Sequence, residues 1–338
     1  MRLFDKASQN KVWGKAIEYA ALLFFAFFVL GPLFFIFLQL RTFQFSESMF
    51  HALLVSFGVA TCVAAIDLLF GIPVAWMLAR KNFPFKWLVD MLVDLPLIIP
   101  TSALGLSIGL FWGAQGLGIL APGAGMIIVL HVAFTFSYVV RTTQAAIMET
   151  NPDLGKAAST LGASPFMSFR TVWLPLARAG VISGAVLSFT RSLGETGATM
   201  MVAGAMMTVP VLTVYFKNAT PADLDSAISL SAVFILLSAV LFLLMRKSSV
   251  AGRFRLGKVY ADAERRLSGL GNWSDAAGVF FLLLMVMIPS FYFLRFSDWN
   301  IFTERTLESI LISFGVACAA TGLSVLFGLP LALLIASK

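Results

Sequence analysis

The chain has 338 residues, 59% of them hydrophobic and 12% charged, with a mean hydropathy of +0.91. A soluble domain carries about 25% charged residues, so a water-soluble globular fold is excluded. The formal charge of +7 is spread in short clusters at the ends of apolar runs, which argues for a membrane topology signal and against nucleic acid as a partner.

The first apolar run covers residues 17–40, holds one acid at its edge and no base, and is long enough to span a hydrocarbon core of about 30 Å. It is too long for the apolar core of a signal peptide and lacks an A-x-A-like exit, so it is expected to stay in the protein. Further runs fall at roughly 52–79, 91–113, 124–147, 176–199, 226–245, 277–294 and 309–336. None alternates as a barrel strand does, so eight helical spans are expected, because a backbone in lipid must satisfy its own polar groups. The first run, rich in Phe, reads as lipid-facing bulk.

Basic residues mark alternate helix ends. Arg2, Lys6, Lys11 and Lys15 precede the first span, and Arg80, Lys81 and Lys86 follow the second. Arg141, Lys156 and Arg170 frame the loop after the fourth, and Arg246, Lys247, Arg253, Arg255, Lys258, Arg265 and Arg266 follow the sixth. The opposite side receives only Arg41, Lys217, Arg295 and Arg305. That asymmetry predicts a cytoplasmic N-terminus and a multi-pass protein of the cytoplasmic (inner) membrane. Cys62 and Cys318 lie within apolar runs and read as small core residues, with no metal site or disulfide expected.

The chain repeats itself. Residues 54–60 read LVSFGVA and residues 311–317 read LISFGVA, an offset of 257. At the same offset Leu69, Phe70, Gly71, Pro73, Ala75, Ala79 and Lys81 match Leu326, Phe327, Gly328, Pro330, Ala332, Ala336 and Lys338, and Pro32 matches Pro289. Six spans return the chain to its starting side, so the repeat is parallel. This divides the chain into a first unit at 1–245, a basic linker at 246–272 and the start of a second unit at 273–338. The second unit holds two of six expected helices, and its residues 309–336 show no decay, so the natural chain is expected to continue past Lys338.

The loop after the fourth span, residues 148–175, reads METNPDLGKAASTLGASPFMSFRTVWLP. Asn151, Pro152 and Asp153 supply a helix start with proline in the first turn. Ala157 and Ala158 give a small face that another surface can approach, Gly162 permits a sharp turn, and Ser164–Pro165 starts a second helix.

At these residues the sequence resembles the membrane subunits of ATP-binding-cassette importers. Their loop signature is E-A-A, three residues, G, nine residues, I, one residue, L-P. Ala157–Ala158, Gly162, Val172 and Leu174–Pro175 reproduce every spacing, and Lys156 stands where the family usually has Glu. The resemblance implies an all-α polytopic membrane protein, a six-helix importer permease unit followed by the first two helices of a second. It implies that residues 152–170 form coupling helices, with Lys156, Ala157, Ala158, Gly162, Leu174 and Pro175 shaping the contact with the ATPase. It also implies the partners: a cytoplasmic ATPase dimer, an extracytoplasmic solute-binding protein, a second permease half, fused or separate, and membrane lipid. No G-x-x-x-x-G-K-[ST] motif occurs in the chain, so ATP is expected on the partner subunit, with no cofactor held here.

Two further stretches bear on the pathway. Residues 90–106, DMLVDLPLIIPTSALGL, place Pro96 and Pro100 early in the third run, as a hinge or as a packing kink. In residues 187–199, LSFTRSLGETGAT, Arg191 and Glu195 stand four apart and are expected to share a helical face. Thr190, Thr196 and Thr199 add hydroxyls beside them. Charges at membrane depth mark functional sites by default, although a purely structural ion pair is the competing reading. Asp67 and His131 read as groups satisfied inside the bundle, and Asp90 and Asp94 as partners for Lys81 or Lys86.

RSLGETGAT together with DLPLIIPTSALGL is similar to permeases for molybdate, tungstate and sulfate, whose usual form is R-[AS]-L-G-E-[FY]-G-A. Thr196 replaces the aromatic. A tandem fusion is more typical of the iron(III) and thiamine branches, which stand as the alternative substrates. An ion-coupled secondary transporter would not need the loop signature. An intramembrane enzyme would need a catalytic constellation, and none is present, so no catalytic residue is assigned.

Overall fold

The computed structural model describes residues 19–220, 223–251, 271–296 and 304–336. The basic residues Arg2 to Lys15 and most of the linker expected at 246–272 lie outside the described residues. Among the described residues the secondary structure is helical throughout, without a strand. The helices are α1 (Tyr19–Leu38), α2 (Glu47–Arg80), α3 (Lys86–Ile98), α4 (Thr101–Trp112), α5 (Ala124–Glu149), α6 (Asp153–Thr160) and α7 (Pro165–Leu176). They continue with α8 (Arg178–Leu193), α9 (Gly197–Val202), α10 (Val209–Ala219), α11 (Asp223–Ala251), α12 (Ser274–Phe296) and α13 (Glu304–Ala336).

Six of these, α1, α2, α5, α11, α12 and α13, are each long and apolar enough to cross a bilayer. Two bent pairs pass the same test, α3 with α4 at 107° and α7 with α8 at 72°; the run expected at 176–199 falls on α8, which stops at Leu193, and on α9 after it. The run at 91–113, expected as one span, therefore breaks at Ile99–Pro100. Pro100 has no amide hydrogen to continue the ladder, and its ring biases Ile99 towards extended backbone; Ile99 has ψ 130°.

Three other prolines have a milder effect. Residues 25–30, 169–173 and 282–287 form π-helical turns, and each ends two residues before a proline, Pro32, Pro175 and Pro289. The amides of Gly31, Leu174 and Ile288 reach back five residues to the carbonyls of Ala26, Phe169 and Leu283. Widening the turn makes room for the proline ring while keeping the neighbouring amides bonded. The first and third of these turns are 257 residues apart, as are the first residues of α2 and α13, Glu47 and Glu304. The repeat seen in the sequence is thus matched by the elements.

The chain divides into two compact units, Phe43–Phe296 and the pair Met1–Thr42 with Ser297–Lys338. This division cuts across the sequence repeat. In the larger unit α5 is the central helix, lying against α2, α8, α3 and α4. Its core runs from Val59 and Val63 of α2 through Leu104, Ile108 and Phe111 of α4 and Leu130, Ala133 and Phe136 of α5. α12 joins this core. Phe281 stacks on Phe70 with centroids 4.1 Å apart, Gly278 lies against Val74, and Lys81 pairs with Asp275. Ser107 Oγ donates to the Pro289 carbonyl and accepts from the Phe293 amide at 3.0 Å. In the smaller unit Phe24 of α1 stacks on Phe327 of α13, centroids 4.0 Å apart. Phe24 and Phe281 are repeat equivalents, and so are Phe70 and Phe327. The same ring pair is therefore made once in each unit.

Two expectations need correction. Asp90 and Asp94 pair with Arg141 of α5, at 2.5 and 2.6 Å, and not with Lys81 or Lys86. α3 packs along α5, which turns its acids away from its own first residue. Cys62 and Cys318 are exposed, since the outward face of an apolar helix in lipid accepts a small thiol as readily as the core does.

Gly105 of α4 fits against Ala198 of α9, where an added Cβ would come within 2.9 Å of a backbone carbonyl oxygen. Gly105→Ala is expected to destabilise by about 1–3 kcal/mol through overpacking. Gly109→Ala, whose Cβ meets Val202 at an ordinary 3.5 Å, should be neutral or slightly stabilising. Thermal unfolding of the two variants in the same detergent checks the contrast.

Candidate functional site: a helical loop and an intramembrane polar network

The loop between α5 and α8 is a helix–turn–helix. Asn151 Oδ1 accepts from the Asp153 amide at 2.9 Å and starts α6. Gly162, at φ +84°, makes the turn, a conformation that L side chains rarely adopt. Ser164 Oγ then accepts from the Met167 amide at 3.2 Å and caps α7. Leu154, Ala157 and Ala158 of α6 and Leu161 at its C-cap fall at helical spacing. Leu154 and Leu161 are 45% and 88% exposed and Ala157 is exposed, so the stripe faces outward. Lys156 pairs with Asp153 at 2.9 Å, both well exposed, a contact of small energetic weight. Leu174 and Pro175 border an apolar groove with Leu68, Ile72 and Val181.

The inner side of the loop is anchored by residues that sequence reasoning did not single out. Trp173, between Val172 and the Leu174–Pro175 pair, is 4% exposed. Its indole fills the space beside Gly155, where a Cβ would lie 2.6 Å from the ring. The Arg80 guanidinium stacks over the same ring at 3.5 Å, and Trp76 meets it edge-on with centroids 5.6 Å apart. Arg80 Nη2 also donates to the Thr150 carbonyl at 3.2 Å. A cation–π contact of this kind contributes about 0.5–2 kcal/mol, and here it ties α6 and α7 to the end of α2. No sequence signal marks this contact, because Gly155 and Trp173 are brought together only by the fold.

Deeper in the membrane a chain of hydrogen bonds joins α2, α5, α8 and α9. Asp67 is fully buried, and its Oδ2 accepts from Thr135 and Ser188, each at 2.6 Å. Its Oδ1 has no hydrogen-bond partner. His131 contacts Ser192 through Nδ1 at 2.7 Å and Thr199 through Nε2 at 2.9 Å. Thr199 Oγ1 donates to the Glu195 carbonyl at 3.1 Å. With its one hydrogen so used, it accepts from Nε2–H, and Nδ1 accepts from Ser192. His131 is satisfied inside the bundle and Asp67 is bonded there through one oxygen only, and both belong to one network with the Arg191 region.

Arg191 and Glu195 do pair, at 2.7 Å. They do not share a continuous helix. α8 ends at Leu193 with Gly194 as its cap, and Glu195 lies in the break before α9. Its other oxygen accepts from the Ala198 amide at 3.1 Å, which bridges the break. Glu195 is 6% exposed against 36% for Arg191, whose guanidinium lies 4.9 Å above the Phe134 ring. Thr199 is buried in the network. Thr190 bonds back to the Val186 carbonyl at 2.8 Å, and Thr196 is half-buried. Pro96 lies inside α3 and is buried, and Pro100 starts α4, at the other broken run. Among the described residues no group of three or more His, Cys, Asp or Glu side chains is placed to hold a metal ion.

The chain is 36% identical over 208 residues to the sulfate transport system permease protein CysT of Salmonella typhimurium, covering 58% of this chain and 74% of that protein. It is 32% identical over 211 residues to the molybdate/tungstate transport system permease protein WtpB of Methanocaldococcus jannaschii, covering 61% and 82%. It is 34% identical over 222 residues to the molybdenum transport system permease protein ModB of Haemophilus influenzae, covering 60% and 95%. In fold it is similar to a chain of a bacterial ABC transporter involved in the import of the acidic polysaccharide alginate, with TM-score 0.57 and 15% identity over 76% of this chain and all of that one. A family model matches residues 71–249, more than half of the chain. The chain belongs to the family of binding-protein-dependent transport system inner membrane components.

Proposed function

We propose that this importer permease moves a small oxyanion of the molybdate, tungstate or sulfate kind from an external binding protein into the cytoplasm, driven by a separate ATPase pair docked at α6–α7. The loop carries the reading. Its spaced alanines, glycine and Leu–Pro pair fold into two short helices, fixed from within by Trp173 and presenting an apolar stripe outward. A rigid mount with a greasy outer face suits a part that is pushed by a partner. Lys156 makes only an exposed pair with Asp153, and the apolar stripe is taken as the main docking contact. The clustering of basic residues supports an N-terminus and a coupling loop on the cytoplasmic side.

The oxyanion reading is supported by the sulfate and molybdate permeases among the relatives and by Arg191. A partly exposed guanidinium at membrane depth costs about 2.5–3.5 kcal/mol or more if it faces hydrocarbon. The exposed part of Arg191 therefore looks onto a water-filled path or a protein partner. We take Arg191, Glu195, Thr196 and Thr199 to border that path, with Thr190 beside it. The bend at Pro96 and Pro100 supplies the joint about which it opens. The parallel repeat supports two pseudo-symmetric halves, residues 1–245 and 273 onward, closing on one path by alternating access.

Three measurements test this. With the full permease, its ATPase and its binding protein in proteoliposomes, Ala158→Arg should reduce uptake at least tenfold while thermal stability of the permease stays near wild type; unchanged uptake would remove the docking role. Arg191→Met should lower uptake at least tenfold with the complex still assembled. The cognate binding protein, screened by thermal shift against molybdate, tungstate, sulfate, iron(III) and thiamine, should respond to an oxyanion, and a response to iron or thiamine alone would overturn the substrate class.

A further inference from the structure

Arg141 of α5 donates five side-chain hydrogen bonds. Its Nε and Nη2 grip both oxygens of Asp94, at 2.6 and 2.7 Å. Nη1 donates to Asp90 Oδ1 at 2.5 Å and to Gln144 Oε1 at 2.7 Å, and Nη2 also donates to the Asp90 carbonyl at 2.5 Å. All five guanidinium hydrogens are used, in the bidentate geometry that gives arginine its directional hold. One turn earlier on α5, Ser137 Oγ donates to the Val93 carbonyl. Ser137, Arg141 and Gln144 thus form a row along α5 that faces Asp90, Val93 and Asp94 of α3.

Both halves of the broken run lie against α5 and α12, but their polar anchors differ. α3 is hydrogen-bonded to α5 through Arg141 and Ser137, and eight residues beyond Arg141 α5 ends at Glu149 and feeds α6. α4 packs on α9 through Gly105 and Ala198 and is hydrogen-bonded to α12 through Ser107. Between them lies the 107° bend, with Ile99 and Pro100 both in extended backbone.

We propose that Arg141 is a positioning residue of the transport cycle: it binds α3 to the helix that feeds the coupling loop, so that displacement of the loop is delivered to the joint at Ile99–Pro100. This rests on the reading of α6–α7 as the ATPase-docking loop. Without the clamp α5 still moves when the ATPase closes, but α3 no longer follows, and hydrolysis proceeds without opening the path. The two carboxylates are 45% and 47% exposed, so solvent screens them and the pair is not expected to dominate folding stability; its value lies in direction.

The test uses the full transport complex in proteoliposomes, measuring binding-protein-dependent uptake and ATP hydrolysis on the same preparation. Arg141→Met should lower uptake per ATP at least tenfold with hydrolysis within about twofold of wild type. Arg141→Lys, which keeps the charge and loses the fork, should fall between, and the exchange Arg141→Asp with Asp94→Arg should recover part of the loss. Should Arg141→Met fail to assemble, Arg141→Lys and Asp94→Asn give the same readout. Wild-type uptake per ATP in the assembled variants overturns the proposal, as does a parallel fall of uptake and hydrolysis without recovery on exchange. Failure of the docking reading is seen separately, as an Ala158→Arg complex that still hydrolyses ATP and transports normally.

Discussion

Proline withholds an amide hydrogen, and hydrocarbon offers nothing in its place. A chain that keeps prolines in its membrane segments must therefore accommodate each missing bond. Pro73, Pro96 and Pro330 stay inside continuous helices; elsewhere the response takes two forms. Before Pro32, Pro175 and Pro289 a single turn widens and the neighbouring amides reach back five residues. At Pro100 the helix gives way altogether. The wide turn before Pro175 carries Trp173 on its inner side, and the break at Pro100 separates α3, held by Arg141, from α4, hydrogen-bonded to α12 through Ser107. The loop's mount and the joint both descend from this one constraint on the backbone.

Side-chain polarity is handled by the same rule. Asp67, His131, Thr135, Ser188, Ser192, Thr199 and Glu195 are all buried, and each finds partners on a neighbouring helix or across the break at Gly194. In water such bonds would be modest and replaceable. Inside a bilayer the alternative to each is an unsatisfied polar group, so the network fixes the relative rotation of α2, α5 and α8 more firmly than interchangeable apolar contacts would. Arg191 stands at its edge, held by Glu195 on one side and open on the other.

The sequence exposed what depends on local chemistry. The apolar runs, the 257-residue repeat and the turn at Gly162 were all readable because spacing along the chain determines them. The single break at Gly194 was not, because Arg191 and Glu195 at i and i+4 look the same whether the helix continues or ends between them. The partners of Asp90 and Asp94 were not readable either. Lys81 and Lys86 are nearer along the chain, and only the packing of α3 on α5 brings Arg141 closer in space. Trp173 was hidden for a third reason. A tryptophan in an interfacial loop reads as a membrane anchor until the glycine that receives it is seen beside it.

The two phenylalanine stacks have a consequence for how the protein is made. Phe24 finds its ring partner at Phe327 and Phe70 finds its own at Phe281, so each pair closes across more than 200 residues of chain. At about 5–20 residues per second of synthesis, α1 enters the bilayer some 15–60 s before the helix it packs on exists. During that interval its aromatic surface has only lipid, or whatever insertion machinery shelters it, for company. Biogenesis of this protein is thus a waiting process, in which the earliest helix to be inserted is among the last to reach its place.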